Sequence, residues 1–120
     1  MTKKTILVAD DEDLIRELLA DALSDDFNVL VACDGEAAFA LYERHRDEVA
    51  LVITDLIMPN LRGDELAEKL RASRPNLPII FISGYEGEIQ TQALLAKGNS
   101  AFLQKPFDIE SLMSALRDVL

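Results

Sequence analysis

Five short apolar runs rich in β-branched residues alternate along this 120-residue chain with stretches whose apolar residues recur at helical spacing. The strand candidates are residues 5–9, 28–32, 51–55, 78–83 and 101–105. Leu14, Ile15, Leu18, Leu19, Ala22 and Leu23 fall on one face of a helix, as do Ile109, Leu112, Met113, Leu116, Val119 and Leu120. Residues 36–46 and 64–74 read as two further helices, the second with Asp64 as N-cap after Gly63, and residues 88–97 as a weaker one. A helix between every two strands leaves no room for hairpins, so the strands lie parallel and the right-handed crossovers place helices on both faces. The expected fold is α/β, a doubly wound five-stranded parallel sheet of (βα)5 type with strand order 2-1-3-4-5. Its length makes residues 1–120 one domain with a core that needs no disulfide or structural metal.

Three of the runs end abruptly in charge: Ile6-Leu7-Val8-Ala9 in Asp10-Asp11, Leu51-Val52-Ile53-Thr54 in Asp55, and Ala101-Phe102-Leu103-Gln104 in Lys105-Pro106. In a parallel sheet these endings share the carboxyl edge, where open α/β sheets bind ligands. Three carboxylates and an ammonium gathered there are costly unless a cation and an anion visit, which points to a metal and a phosphoryl group. Asp10 and Asp11 are consecutive, so their side chains diverge and one can bind a cation directly, the other through water; Mg²⁺ suits that mix. Asp55, ending the neighbouring strand, can share the ion and accept a phosphoryl group. Ser83, closing the fourth run, offers a hydroxyl donor to phosphoryl oxygens, and Lys105 offers a charge partner.

Charge narrows the partners. Twenty-two acidic against 12 basic residues leave a net charge of -10, which repels nucleic acid and anionic lipid, so no direct nucleic-acid partner is expected. Residues 10 to 36 hold ten acids and a single base, Arg16. The lone Cys33 cannot form an internal disulfide and reads as a small buried residue at a strand end, in keeping with a reducing compartment. Behind Lys3 and Lys4 only four apolar residues precede the acids, too few for a signal peptide or membrane span, so a cytoplasmic location without membrane insertion is expected.

The stretches "ILVADDED", "LVITDLIMPNLRGDEL", "PIIFISGY" and "AFLQKPF", at their joint spacing, resemble the receiver domain of two-component response regulators over the whole length. The resemblance implies a flavodoxin-like fold and a phosphorylation-dependent switch that is not a turnover enzyme. Residue by residue it makes Asp55 the phosphoacceptor, Asp10 and Asp11 the acidic pair, the backbone carbonyl of Ile57 a further Mg²⁺ ligand, Ser83 the switch hydroxyl and Lys105 the phosphate-binding lysine. Mn²⁺ is expected to substitute for Mg²⁺. Phe102 takes the aromatic switch position without the hydroxyl of the commoner tyrosine, and Lys105-Pro106 matches a cis peptide. Implied partners are a histidine kinase or histidine phosphotransfer protein as donor, and a downstream protein at the surface of the fourth helix, fifth strand and fifth helix. Asn99-Ser100-Ala101 lacks the acid that dimerising transcription-factor receivers place before the aromatic, so a monomer or weak dimer is expected. "SGY" with "LQKPF" looks like receivers attached to hybrid sensor kinases, and a single-domain regulator is equally compatible.

Two rival functions meet specific objections. A phosphatase of the haloacid dehalogenase type expects D-x-D after the first strand, whereas Asp10 is followed by Asp11 and Glu12. A flavodoxin-like FMN carrier needs a Ser/Thr-rich first loop to hold phosphate, and this one is acidic. His45, the single histidine, falls at the end of the second helix, at the pole opposite the charged edge, and reads as a solvated helix-end residue. Tyr85, two residues past Ser83, lies over the acceptor or on the loop surface.

Overall fold

Alternation inside each apolar run sorts the side chains onto two faces. A computed structural model describes residues 3–84 and 98–120. Strands β1 (Thr5–Ala9), β2 (Asn28–Ala32), β3 (Val49–Asp55), β4 (Ile79–Ser83) and β5 (Ser100–Gln104) form one parallel sheet in the order β2-β1-β3-β4-β5. Ile6, Val8, Leu51, Ile53, Ile80 and Ile82 face one way, against helices α1 (Asp13–Leu23) and α4 (Ile109–Val119). Leu7, Ala9, Val52, Ile79 and Phe81 face the other way, against α2 (Gly35–Arg44) and α3 (Gly63–Ser73). Strands buried on both faces read as continuous apolar runs because neither parity meets water. The expected fold and strand order are those observed. The helix expected over 88–97 lies outside the described residues.

Element ends depart from the sequence pattern where backbone chemistry decides them. β3 starts at Val49, which pairs with Thr5 across an irregularity between Thr5 and Ile6. β4 starts at Ile79, since Pro78 has no N–H and contributes only its carbonyl, to Val52 N–H at 3.0 Å. The N-cap of α3 is Arg62, not Asp64: the Arg62 N–H donates to Glu65 Oε1 at 3.0 Å, so the helix begins one residue earlier and Asp64 falls inside it.

One burial expectation is corrected, and the apolar stripe of α1 is only partly covered. Leu14 and Leu18 are 78% and 41% exposed, because the apolar stripe of α1 is wider than the face the sheet covers; Leu19 and Leu23 fill that face. Cys33 is exposed, because β2 is an outer strand that ends at Ala32 and leaves the next residue beyond the packed layers.

Among the described residues no helix is long and apolar enough to cross a membrane.

Candidate functional site

Sheet register places the charged residues before any side-chain contact is considered. Ala9 pairs with Thr54, so Asp10 and Asp55, each one residue further on, emerge side by side in the crevice between β1 and β3. There the winding reverses: β2 lies on one side of β1, and every later strand on the other. Asp55 pairs with Ile82 and Ser83 with Gln104, which brings Ser83 and Lys105 to the same edge. Hydrogen bonds continue the ladder past the strand ends, from Asp10 N–H to Ala32 O at 3.1 Å, Leu56 N–H to Ile82 O at 2.9 Å and Lys105 N–H to Ser83 O at 2.9 Å. The bases of these side chains are therefore held by sheet geometry.

One carboxylate oxygen from each of Asp10, Asp11 and Asp55 lies within 4.8 Å of the others. Asp10 is fully buried, the Asp55 side chain is 8% exposed and Asp11 is exposed. Asp10 Oδ1 accepts the Glu12 N–H at 2.8 Å. Asp10 Oδ2 is buried with no hydrogen-bond partner assigned among the described residues, and the Lys105 ammonium lies 3.1 Å away as its ion-pair partner. Asp55 Oδ2 accepts from Lys105 Nζ at 2.9 Å, and Asp55 Oδ1 from the Ile57 N–H at 3.2 Å. Ser83 is buried at the end of β4. The Lys105–Pro106 peptide is cis.

The electrostatics follow from burial. Desolvation raises the Asp10 carboxyl above its ordinary range, with the Asp55 charge adding to it, and the Glu12 amide and Lys105 only partly oppose this. Burial works against the charged Lys105 ammonium, yet hydrogen bonds to Glu12 and Asp55 and the charges of Asp10 and Asp55 outweigh it and raise its pKa. A buried carboxylate with an orphaned oxygen beside two others is a set of hard donors that fits Mg²⁺.

Glu12 went unnoticed as a site residue in the sequence. Its Oε1 accepts from Lys105 Nζ at 2.7 Å, the shortest of the three carboxylate contacts that lysine makes among the described residues. It is the N-cap of α1 yet makes no side-chain cap bond, and a glutamate at a position that favours Ser, Thr, Asp or Asn was the available signal.

The loop that follows Asp55 is clamped from two sides. A Cβ on Gly63 would stand 2.1 Å from Asp55 O, and one on Gly35 would stand 2.3 Å from Leu61 O, so both helices press their first residue against this backbone. Asn60, at φ 71°, donates to Asp34 Oδ2 at 3.1 Å, while Asp34 Oδ1 caps α2 through the Ala37 N–H at 2.8 Å.

The remaining candidates sit elsewhere. Phe102 is half-buried in β5 and packs on the core beneath α2 and α3. His45 is the C-cap of α2, 3.5 Å from Glu48, in the turn that leads to the start of β3 and so away from Asp55. Tyr85 lies outside the described residues.

The family described as "Response regulator receiver domain" matches residues 6–117. The chain is 33% identical over 117 residues to the probable transcriptional regulatory protein TcrX of Mycobacterium tuberculosis, covering 97% of this chain and 49% of that protein. It is also 33% identical to the sensor kinase CckA of Brucella abortus, covering 97% of this chain and 12% of the kinase. It thus spans half or less of the length of these relatives. The CheX–CheY–BeF3–Mg²⁺ complex of Borrelia burgdorferi contains a chain that superposes with a TM-score of 0.90 at 26% identity, over 98% of this chain and 90% of that one.

Proposed function

The chain belongs to the response regulator receiver domain family, and on that premise we propose that its 120 residues act as one receiver unit in which Asp55 accepts a phosphoryl group. Receiver domains are signalling units of two-component systems, and their signal depends on phosphorylation. The observation that carries the assignment to Asp55 is its contact with Lys105, 2.9 Å from Nζ to Oδ2, in the crevice where the winding reverses.

Asp10, Asp11, Asp55 and the backbone carbonyl of Ile57 would hold Mg²⁺, or Mn²⁺ in its place. When bound, the ion neutralises carboxylate charge that would otherwise repel a phosphate. The donor is a phosphohistidine on a histidine kinase or phosphotransfer protein. A carboxylate oxygen of Asp55 attacks phosphorus in line, the O–P bond forms as the P–N bond breaks, and the donor imidazole leaves. The Ile57 N–H holds one Asp55 oxygen in place and so limits rotation of the carboxylate. Lys105, already at the acceptor, balances the charge gained, and Ser83 donates its hydroxyl to a phosphoryl oxygen.

Those two contacts draw the ends of β4 and β5 toward the acceptor and bias a pre-existing equilibrium. Phe102, lacking a hydroxyl, reports the change by the burial of its ring alone. The altered surface around β5 and α4 meets the downstream protein.

Incubation with acetyl phosphate and Mg²⁺ tests the acceptor directly. A hydroxylamine-sensitive adduct of one phosphoryl group is expected on the parent and none on Asp55→Asn; an adduct that persists in that variant refutes the assignment.

A further inference from the structure

Among the described residues three carboxylates surround the Lys105 ammonium: Glu12 at 2.7 Å, Asp55 at 2.9 Å and Asp10 at 3.1 Å. Asp10 and Asp55 are buried at the strand ends and cannot move far. Glu12 differs. Its side chain is 58% exposed, springs from the first residue of the α1 boundary, and crosses 93 positions of sequence to reach the lysine instead of capping its own helix.

We propose that Glu12 is a positioning residue that holds the Lys105 ammonium in the unphosphorylated site and competes with the phosphoryl group for its protons. This rests on Asp55 being the acceptor. A phosphoryl group on Asp55 brings three strong acceptor oxygens into the space Lys105 already serves, so the Glu12 bond must loosen as the new ones form. A charge-assisted bond that is present before transfer and lost during it stabilises the starting state, and therefore slows phosphorylation. Because Glu12 is mostly exposed, solvent screens the contact and the effect is modest, about two- to fivefold in rate.

Two variants separate this role from simple repulsion of an anionic donor. Glu12→Gln removes the charge at nearly constant shape. Glu12→Asp keeps a charge at the mouth of the site but is one methylene shorter, and an aspartate at an N-cap turns back onto its own helix. At saturating Mg²⁺ and with acetyl phosphate as donor, both variants should be phosphorylated about two- to fivefold faster than the parent. Glu12→Asp at the parental rate would leave only the mouth charge as the cause, and equal rates in all three proteins would remove the competition altogether; either result overturns the proposal.

A second measurement needs neither metal nor phosphodonor. In EDTA, the melting shift caused by Glu12→Gln should differ by about 2–4 °C between the parent and a Lys105→Met background. Equal shifts in the two backgrounds would show that the two residues are not coupled, and the proposal falls. If the parent takes no phosphoryl group while the coupling is present, the acceptor assignment is what has failed, and the competition fails with it.

Discussion

Gly63 is the first residue of α3, and replacing it with alanine places a methyl group against the backbone that carries Asp55. The added Cβ would stand 2.1 Å from Asp55 O and 2.9 Å from both Asp55 C and Leu56 Cα. None of these is the far end of a flexible side chain, so the start of α3 must retreat from the loop. That movement also strains the Gly63 N–H bond to Leu56 O, 2.9 Å long. Overpacking of this kind costs about 1–3 kcal/mol, and a weakened backbone bond adds about 1 kcal/mol. Alanine restricts the unfolded chain and returns about 0.4–1 kcal/mol. The net expectation is a loss of about 2 kcal/mol, or roughly 5–10 °C in Tm for a domain of this size. Gly84 is the control. Among the described residues the nearest atom to a Cβ there is Lys105 Cβ at 4.0 Å, so Gly84→Ala should leave stability unchanged or raise it by about 0.4–1 kcal/mol. Urea unfolding followed by circular dichroism, with the m-value compared across parent and variants, reads both effects. A Gly63→Ala protein as stable as the parent, or a Gly84→Ala protein equally damaged, would refute the argument that close approach to Asp55 excludes a side chain at this one position. The same retreat displaces the acceptor loop, so Gly63→Ala should also be phosphorylated more slowly.

Asp11→Asn removes one of three clustered carboxylates, each repelling its neighbours by about 1 kcal/mol under water-like screening at this separation. The metal-free variant should therefore be more stable than the parent by about 1 kcal/mol and gain less from millimolar Mg²⁺; thermal melts in EDTA and in Mg²⁺ check both, and equal Mg²⁺ shifts would remove Asp11 from the proposed ligand set. Asp108 caps α4 by accepting the Ser111 N–H at 2.8 Å, and that bond lowers its carboxyl below the ordinary value of 3.8. A carboxyl depressed in the folded state contributes stability that is present above pH 3.8 and lost as pH falls through the folded value. Asp108→Asn should accordingly melt below the parent at pH 7, with the difference narrowing under acid; a gap that widens as pH falls from 4 to 3 would contradict the cap's charge as its source.

Much of the architecture was legible because period-two burial leaves its mark on sequence. β1, β3 and β4 are buried on both faces, so their apolar runs stand out, and the ends of those runs located Asp10, Asp55 and Ser83 within a residue of where the strands stop. Parallel pairing then carries strand ends to a common edge, which is why the nearness of Asp10, Asp55 and Lys105 could be anticipated without coordinates. Backbone capping was less readable. Arg62 starts α3 through its N–H and the Glu65 side chain, and nothing in arginine's own propensity announces that.

What tertiary structure alone decided are the quantities that depend on neighbours remote in sequence. The helical period of α1 marked six apolar residues, but only the packed sheet determines that Leu19 and Leu23 are covered while Leu14 and Leu18 face water. Cys33 follows β2, whose outer place in the sheet was already expected from the sequence, but its exposure depends on what packs beyond the end of that strand, and only the folded chain decides that. Glu12 looked like one more acid in an acidic stretch; its bond to Lys105 exists because the sheet sets β5 two strands away from β3 and within reach of the start of α1. Periodicity is a local property written in the chain, whereas the partner of a long charged side chain depends on where the whole sheet brings the backbone, and that is fixed only when every strand has found its place.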